Sequence, residues 1–140
     1  MSAKASAPHA VDGPARTRNR SVAVAVAVLA AVAVWSGATL AGAQLTVDQG
    51  SGPQDVPVLA VLMTSALAAL LGWALLAVLE RFSARATTIW TGIAVAVLVL
   101  SLLPALLVDA SAGTRFTLVL MHLVVGAVVI LGLRRGARHA

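Results

Sequence analysis

The chain has 140 residues, of which 60% are hydrophobic and 11% charged, with 10 Lys and Arg against 5 Asp and Glu. Soluble domains carry about 25% charged residues, so this composition argues against one and leaves lipid as the expected solvent. There is no cysteine, which removes disulfides, thiolate metal sites and cysteine nucleophiles. The net charge of +5 lacks the aromatic or glycine-rich surface that nucleic-acid binding would use, so no nucleic-acid partner is expected.

Residues 1–20 hold Ala, Ser, Pro and Gly with Lys4, Arg16, Arg18 and Arg20 and show no apolar periodicity. They read as a disordered basic tail. The arginines alternate with other residues, so no twin-arginine signal is present.

Four apolar runs follow, Ser21–Ala43, Val56–Leu79, Thr87–Val108 and Phe116–Leu133, and none contains Asp, Glu, Lys or Arg. At the helical rise each reaches roughly 27–36 Å, close to the ~30 Å hydrocarbon thickness of a bilayer. The first run opens with Val-Ala alternation from Val22 to Val28, but both phases are apolar. A lone strand in lipid would leave its backbone groups unsatisfied, so a helix is expected there too. Ala41-Gly42-Ala43 has the small-x-small shape of a signal-peptidase site. Signal h-regions usually run about 7–15 residues, so the longer run favours a retained helix, with cleavage after Ala43 as the rival reading.

The loop 44–55 is polar, and Gly50, Gly52 and Pro53 mark a turn. As the only sizeable segment on its side, it offers Gln44, Thr46, Asp48 and Gln49 as contact residues for a partner. Glu80–Ala86 and Asp109–Arg115 are short connections. Thr114 is expected to cap the fourth helix, and Asp109 is within reach of Arg115 for a surface ion pair. Trp90 and Phe82 suit an inner aromatic belt, and Phe116 an outer one.

Nine of the ten basic residues lie before span one, between spans two and three, or after span four; only Arg115 falls on the other side. The positive-inside rule then places both termini, including the basic tail 134–140, in the cytoplasm against anionic lipid. The expected fold is all-α, an integral membrane antiparallel four-helix bundle over residues 21–133.

His122 is the single titratable residue inside any span. Counting helical rise puts it about 9 Å below the outer end of span four, with Ser36, Ser101 and Thr64 about 10–12 Å below the outer ends of theirs. These four are expected to form a polar layer in which His122 bonds Thr64 or Ser101. The plainer alternative makes them simple interhelical clamps. No metal or haem site is expected, because His9 and His139 lie in the tails and Met121-His122 point about 100° apart on a helix. No nucleophile–base pair, carboxylate dyad or phosphate-cradling motif appears, so neither a cofactor nor enzymatic activity is expected. Pro104 should free the Leu100 carbonyl and bend span three near its end.

The segments Gln44-Leu-Thr-Val-Asp-Gln-Gly-Ser-Gly-Pro53, Gly72-Trp-Ala-Leu-Leu76, Leu79-Glu80-Arg81 and Met121-His-Leu-Val124 resemble a family of small four-span actinobacterial membrane proteins. That family carries only an uncharacterised-domain label. The resemblance covers about residues 17–135 and implies a multi-pass plasma-membrane protein, without supplying site residues. Together these features suggest a non-enzymatic structural or interaction subunit of the bacterial cell membrane, partnered by another membrane protein or by its own copies. The competing reading is a small oligomeric transporter or channel. Small multidrug exporters have a similar size, but they use an intramembrane glutamate, and Glu80 lies at the edge of its span.

Overall fold

The computed structural model describes residues 13–138. Gly13-Pro14 opens the first helix, with proline at the position where its missing N–H is not needed. Helix α1 runs Pro14–Leu40, α2 Val58–Phe82, α3 Ala86–Leu107 and α4 Ala112–Arg138. All four are long and apolar enough to cross a membrane, the constitution of a multi-pass membrane protein.

Two ends extend further than the apolar runs. Residues 14–20, expected to be irregular, are helical, as are 134–138 beyond the fourth run. No Gly or Pro interrupts Ala15–Ser21, so nothing stops the helix from starting at Pro14. The expected disorder of residues 1–12 lies outside the described residues.

Helix α1 ends in a Schellman motif. Gly42 adopts φ +83°, its N–H donates to Thr39 O at 3.0 Å, and Ala43 N donates to Ala38 O at 3.0 Å. The Ala41-Gly42-Ala43 sequence is thus the signal that closes this helix.

The following loop is more ordered than a simple turn. Strands β1 (Thr46–Asp48) and β2 (Pro53–Asp55) pair antiparallel, with Thr46 opposite Asp55 and Asp48 opposite Pro53. Gly50 and Gly52 carry positive φ of 94° and 99°, and both donate their N–H to Asp48 Oδ1, at 2.7 and 3.1 Å. That carboxylate holds the turn closed.

Side-chain contacts fix the helix directions. Trp35 Nε1 near the end of α1 donates to Val56 O just before α2, at 2.9 Å. Arg20 near the start of α1 meets Glu80 near the end of α2. Gly136 near the end of α4 lies against Arg20 as well, and Trp90 early in α3 reaches Gly72 in α2. Successive helices therefore alternate in direction. Helix α1 packs on α2 and α4, and α3 packs on α2 and α4.

Small residues bring α1 and α4 together. Ala23, Ala27 and Ala31 are buried at four-residue spacing. A Cβ on Gly132 would stand 2.7 Å from Ala23 Cβ. Gly132 and Gly136 form a GxxxG pair, the device by which helix backbones approach closely in lipid. Between the four helices Ala23, Leu76, Trp90 and Leu133 make a buried cluster, flanked by Trp73 and Val129. Trp90 is 1% exposed and donates Nε1–H to Gly72 O at 2.8 Å. It is a core residue and does not join an aromatic belt; Phe82 and Phe116 are exposed, as a belt would have them.

Candidate functional site

Three regions hold the polar groups of the bundle. The first is a lateral cleft of about 460 Å³ framed by α2, α3 and α4. Thr64 and Ser65 line it from α2, Ser101 from α3 and His122 from α4. Three of the four residues expected to form a polar layer thus meet in one place. Ser36 does not line it; the Ser36 carbonyl instead accepts from Thr39 Oγ1 at 2.9 Å, along α1.

The expected bonds between helices do not form among the described residues. Thr64 Oγ1 donates to Ala60 O at 2.7 Å, Ser65 Oγ to Val61 O at 2.6 Å, and Ser101 Oγ to Leu98 O at 2.7 Å. His122 Nδ1 lies 2.7 Å from Leu118 O. Each group turns to a carbonyl one turn earlier in its own helix, which costs less ordering than reaching a neighbour. Ser101 accordingly serves Leu98 and not the Leu100 carbonyl, to which Pro104 has no N–H to donate. A carbonyl can only accept, so Nδ1 carries a proton, and in the tautomer that bears its proton there Nε2 presents a lone pair.

The cleft is polar at the end nearer the hairpin and apolar towards Leu75, Trp90 and Val129. Its mouth includes the exposed Thr64, Ala68 and Leu71 of α2 and Val97 of α3. Gly126 sets its depth: a Cβ there would come 2.6 Å from Leu98 Cδ1, so α3 and α4 are in close contact behind it.

The second region, at the helix ends carrying both chain termini, was missed in the sequence. Arg20 is 1% exposed, and its Nη2 donates to Glu80 Oε1 at 2.6 Å. Arg16 Nη1 approaches Glu80 Oε2 at 4.0 Å. Arg20 Nε and Nη1 are buried without a hydrogen-bond partner among the described residues. Gly136 makes room for this side chain, since its own Cβ would lie 3.4 Å from Arg20 Cγ. The signal was legible. Glu80 is an acidic residue set directly against the basic end of an apolar run, and Gly132-x-x-x-Gly136 flanks the basic pair Arg134-Arg135.

The third region is the opposite end, where the two loops are joined. Asp48 N donates to Asp109 O at 3.0 Å, and Val56 N to Leu45 O at 2.8 Å. Thr114 is fully buried, and its Oγ1 donates to Gln44 O at 2.9 Å. It is not the cap of α4: Ser111 Oγ accepts from Thr114 N at 3.2 Å and fills that role. Arg115 Nε donates to Val108 O at 3.2 Å, and no Arg115–Asp109 ion pair forms among the described residues. Of the expected contact residues, Thr46 and Asp48 line a small hollow of about 290 Å³ with Asp109 and Ser111. Gln44 and Gln49 are exposed outside it.

The chain belongs to DUF6069, a family of unknown function, whose family model matches residues 11–139. No curated protein and no solved structure matches the chain significantly.

Proposed function

We propose that this family member is a non-enzymatic interaction subunit of a bacterial plasma membrane, with both termini in the cytoplasm and its hairpin outside. The observation that carries this reading is where the packing lies. The bundle axis is filled by Leu76, Trp90, Leu133 and the α1 alanines, whereas the cleft of about 460 Å³ opens laterally. A path for a solute needs polar or hydrated groups along an axis. A lateral apolar face serves contact within the plane of the bilayer. The arginine asymmetry supports the orientation: Arg16, Arg18, Arg20, Arg81, Arg85, Arg134 and Arg135 sit at one end, where anionic headgroups would gather. The hairpin, with Gln49 exposed at its turn, is the surface offered to an external partner.

The lack of cysteine makes the orientation directly measurable. Single cysteines placed at Gln49 and at Ser83 should react with a membrane-impermeant maleimide in intact cells only at Gln49. Affinity purification from native membranes should then recover a membrane protein or a second copy. Solute flux through liposomes holding the purified protein would instead favour the transporter reading. Labelling at Ser83 in intact cells would overturn the orientation.

A further inference from the structure

We propose that the lateral cleft is a binding site for a neutral, membrane-dissolved long-chain alcohol, an isoprenoid or fatty chain with one terminal hydroxyl. This rests on the membrane setting of the reading above and assigns the lateral opening itself to a lipid, with protein contacts left to the hairpin and the surrounding helix faces.

The argument rests on hydrogen-bond polarity. Every donor at the cleft is already committed. Thr64, Ser65 and Ser101 give their hydroxyl protons to Ala60, Val61 and Leu98. Trp90 gives its N–H to Gly72, and His122 gives Nδ1–H to Leu118. What these side chains still offer is lone pairs: three hydroxyl oxygens and His122 Nε2. The site therefore asks for a donor.

It does not ask for a charge. Asp and Glu are absent from the lining, so an ammonium group would enter without a counter-ion, and an anion would meet only acceptors. In hydrocarbon there is no water to saturate the bare imidazole nitrogen, so a hydroxyl donor is worth more there than in solution. A neutral O–H fits both conditions.

The shape agrees. A volume of about 460 Å³ is in the usual range of small-molecule sites, roughly 300–1,000 Å³. The acceptors gather at the hairpin end, and the walls run apolar from there to Trp90 and Val129. An amphiphile would set its hydroxyl against His122 and lay its chain along α2 and α3. Entry through the exposed mouth requires no passage through water.

The test is saturable binding to the full chain in nanodiscs, read by native mass spectrometry, with geranylgeraniol as probe and its methyl ether as the donor-free control. The ether keeps the length and the chain but has no O–H. Geranylgeraniol should bind about tenfold more tightly than the ether, the loss expected for one hydrogen bond in a dry site. His122→Leu should bring the alcohol down to the ether's affinity and leave the ether unchanged. His122→Asn, which keeps an acceptor, should restore part of the preference. Ala68→Phe, which fills the mouth, should abolish binding of both while far-UV circular dichroism stays native. Equal affinity for alcohol and ether, or no saturable binding of either by natively folded protein, would overturn the proposal. Neither result bears on membrane orientation or on co-purified partners.

Discussion

Removing the carboxylate of Glu80 should destabilise the bundle more than its position at a helix end suggests. Arg20 is 1% exposed, and among the described residues Glu80 Oε1 at 2.6 Å accepts its one hydrogen bond; Nε and Nη1 already have none. Glu80→Leu leaves a guanidinium buried with no acceptor at all. Breaking one side of a buried pair costs about 3–5 kcal/mol. Glu80 keeps 21% of its side chain exposed, so solvent softens the loss, and the low end, about 3 kcal/mol, is expected. Arg20→Met is milder, roughly 1 kcal/mol, because Glu80 remains partly solvated beside Arg16 at 4.0 Å. The double variant removes both charges and packs methylene against methylene, so it should lie within about 1 kcal/mol of the native chain. A double-mutant cycle measured by SDS titration in mixed micelles, followed by far-UV circular dichroism, should thus give a coupling of about 3–5 kcal/mol. Additive single effects, within about 0.5 kcal/mol, would refute the burial of Arg20 and with it the helical start of α1 at Pro14.

Other expectations follow from the same contacts. Gly132→Val must push against Ala23, whose Cβ lies 2.7 Å from the new one, and should cost about 1–3 kcal/mol in the same titration; Gly37→Ala in open space should instead gain about 0.5–1 kcal/mol. Trp90→Phe removes the bond to Gly72 and part of the core, and should lower stability by roughly 1–3 kcal/mol with little change in helix content. Thr114→Val keeps the volume but leaves the Gln44 carbonyl without its donor; amide exchange over residues 44–56 should quicken while that of α2 and α3 is unchanged.

The parts of this fold legible from the sequence were those that depend on length and polarity alone. Charge-free runs long enough for a bilayer gave four helices in the right places, because in lipid no other backbone structure satisfies itself. Counting residues also grouped Thr64, Ser101 and His122, and these three line one cleft. Direction around each helix was not legible, since runs of Val, Ala and Leu have no polar face to break the symmetry. Hence Ser36 was grouped with residues it does not meet, and Trp90 was assigned to a surface it does not reach. The helix ends were misjudged for a different reason. Arginines were counted as topology signals, which hid the one that is buried, and stopping the fourth run at Leu133 hid the Gly132–Gly136 pair. The hairpin was passed over because Asp48 was weighed as a surface carboxylate, whereas its oxygen shapes the turn through two backbone amides.

The extensive seam between α1 and α4 has a consequence for how the protein is made. Helix α1 leaves the ribosome well before α4, the helix that is its broadest partner. When α2 emerges, Glu80 can already neutralise Arg20, so the opening pair is held by charge before small residues have anything to pack on. Ala23 meets Gly132 only after α4 has been synthesised. A truncated nascent chain therefore carries an unfilled alanine groove, and quality control in the membrane has a physical mark by which to tell a finished molecule from an unfinished one.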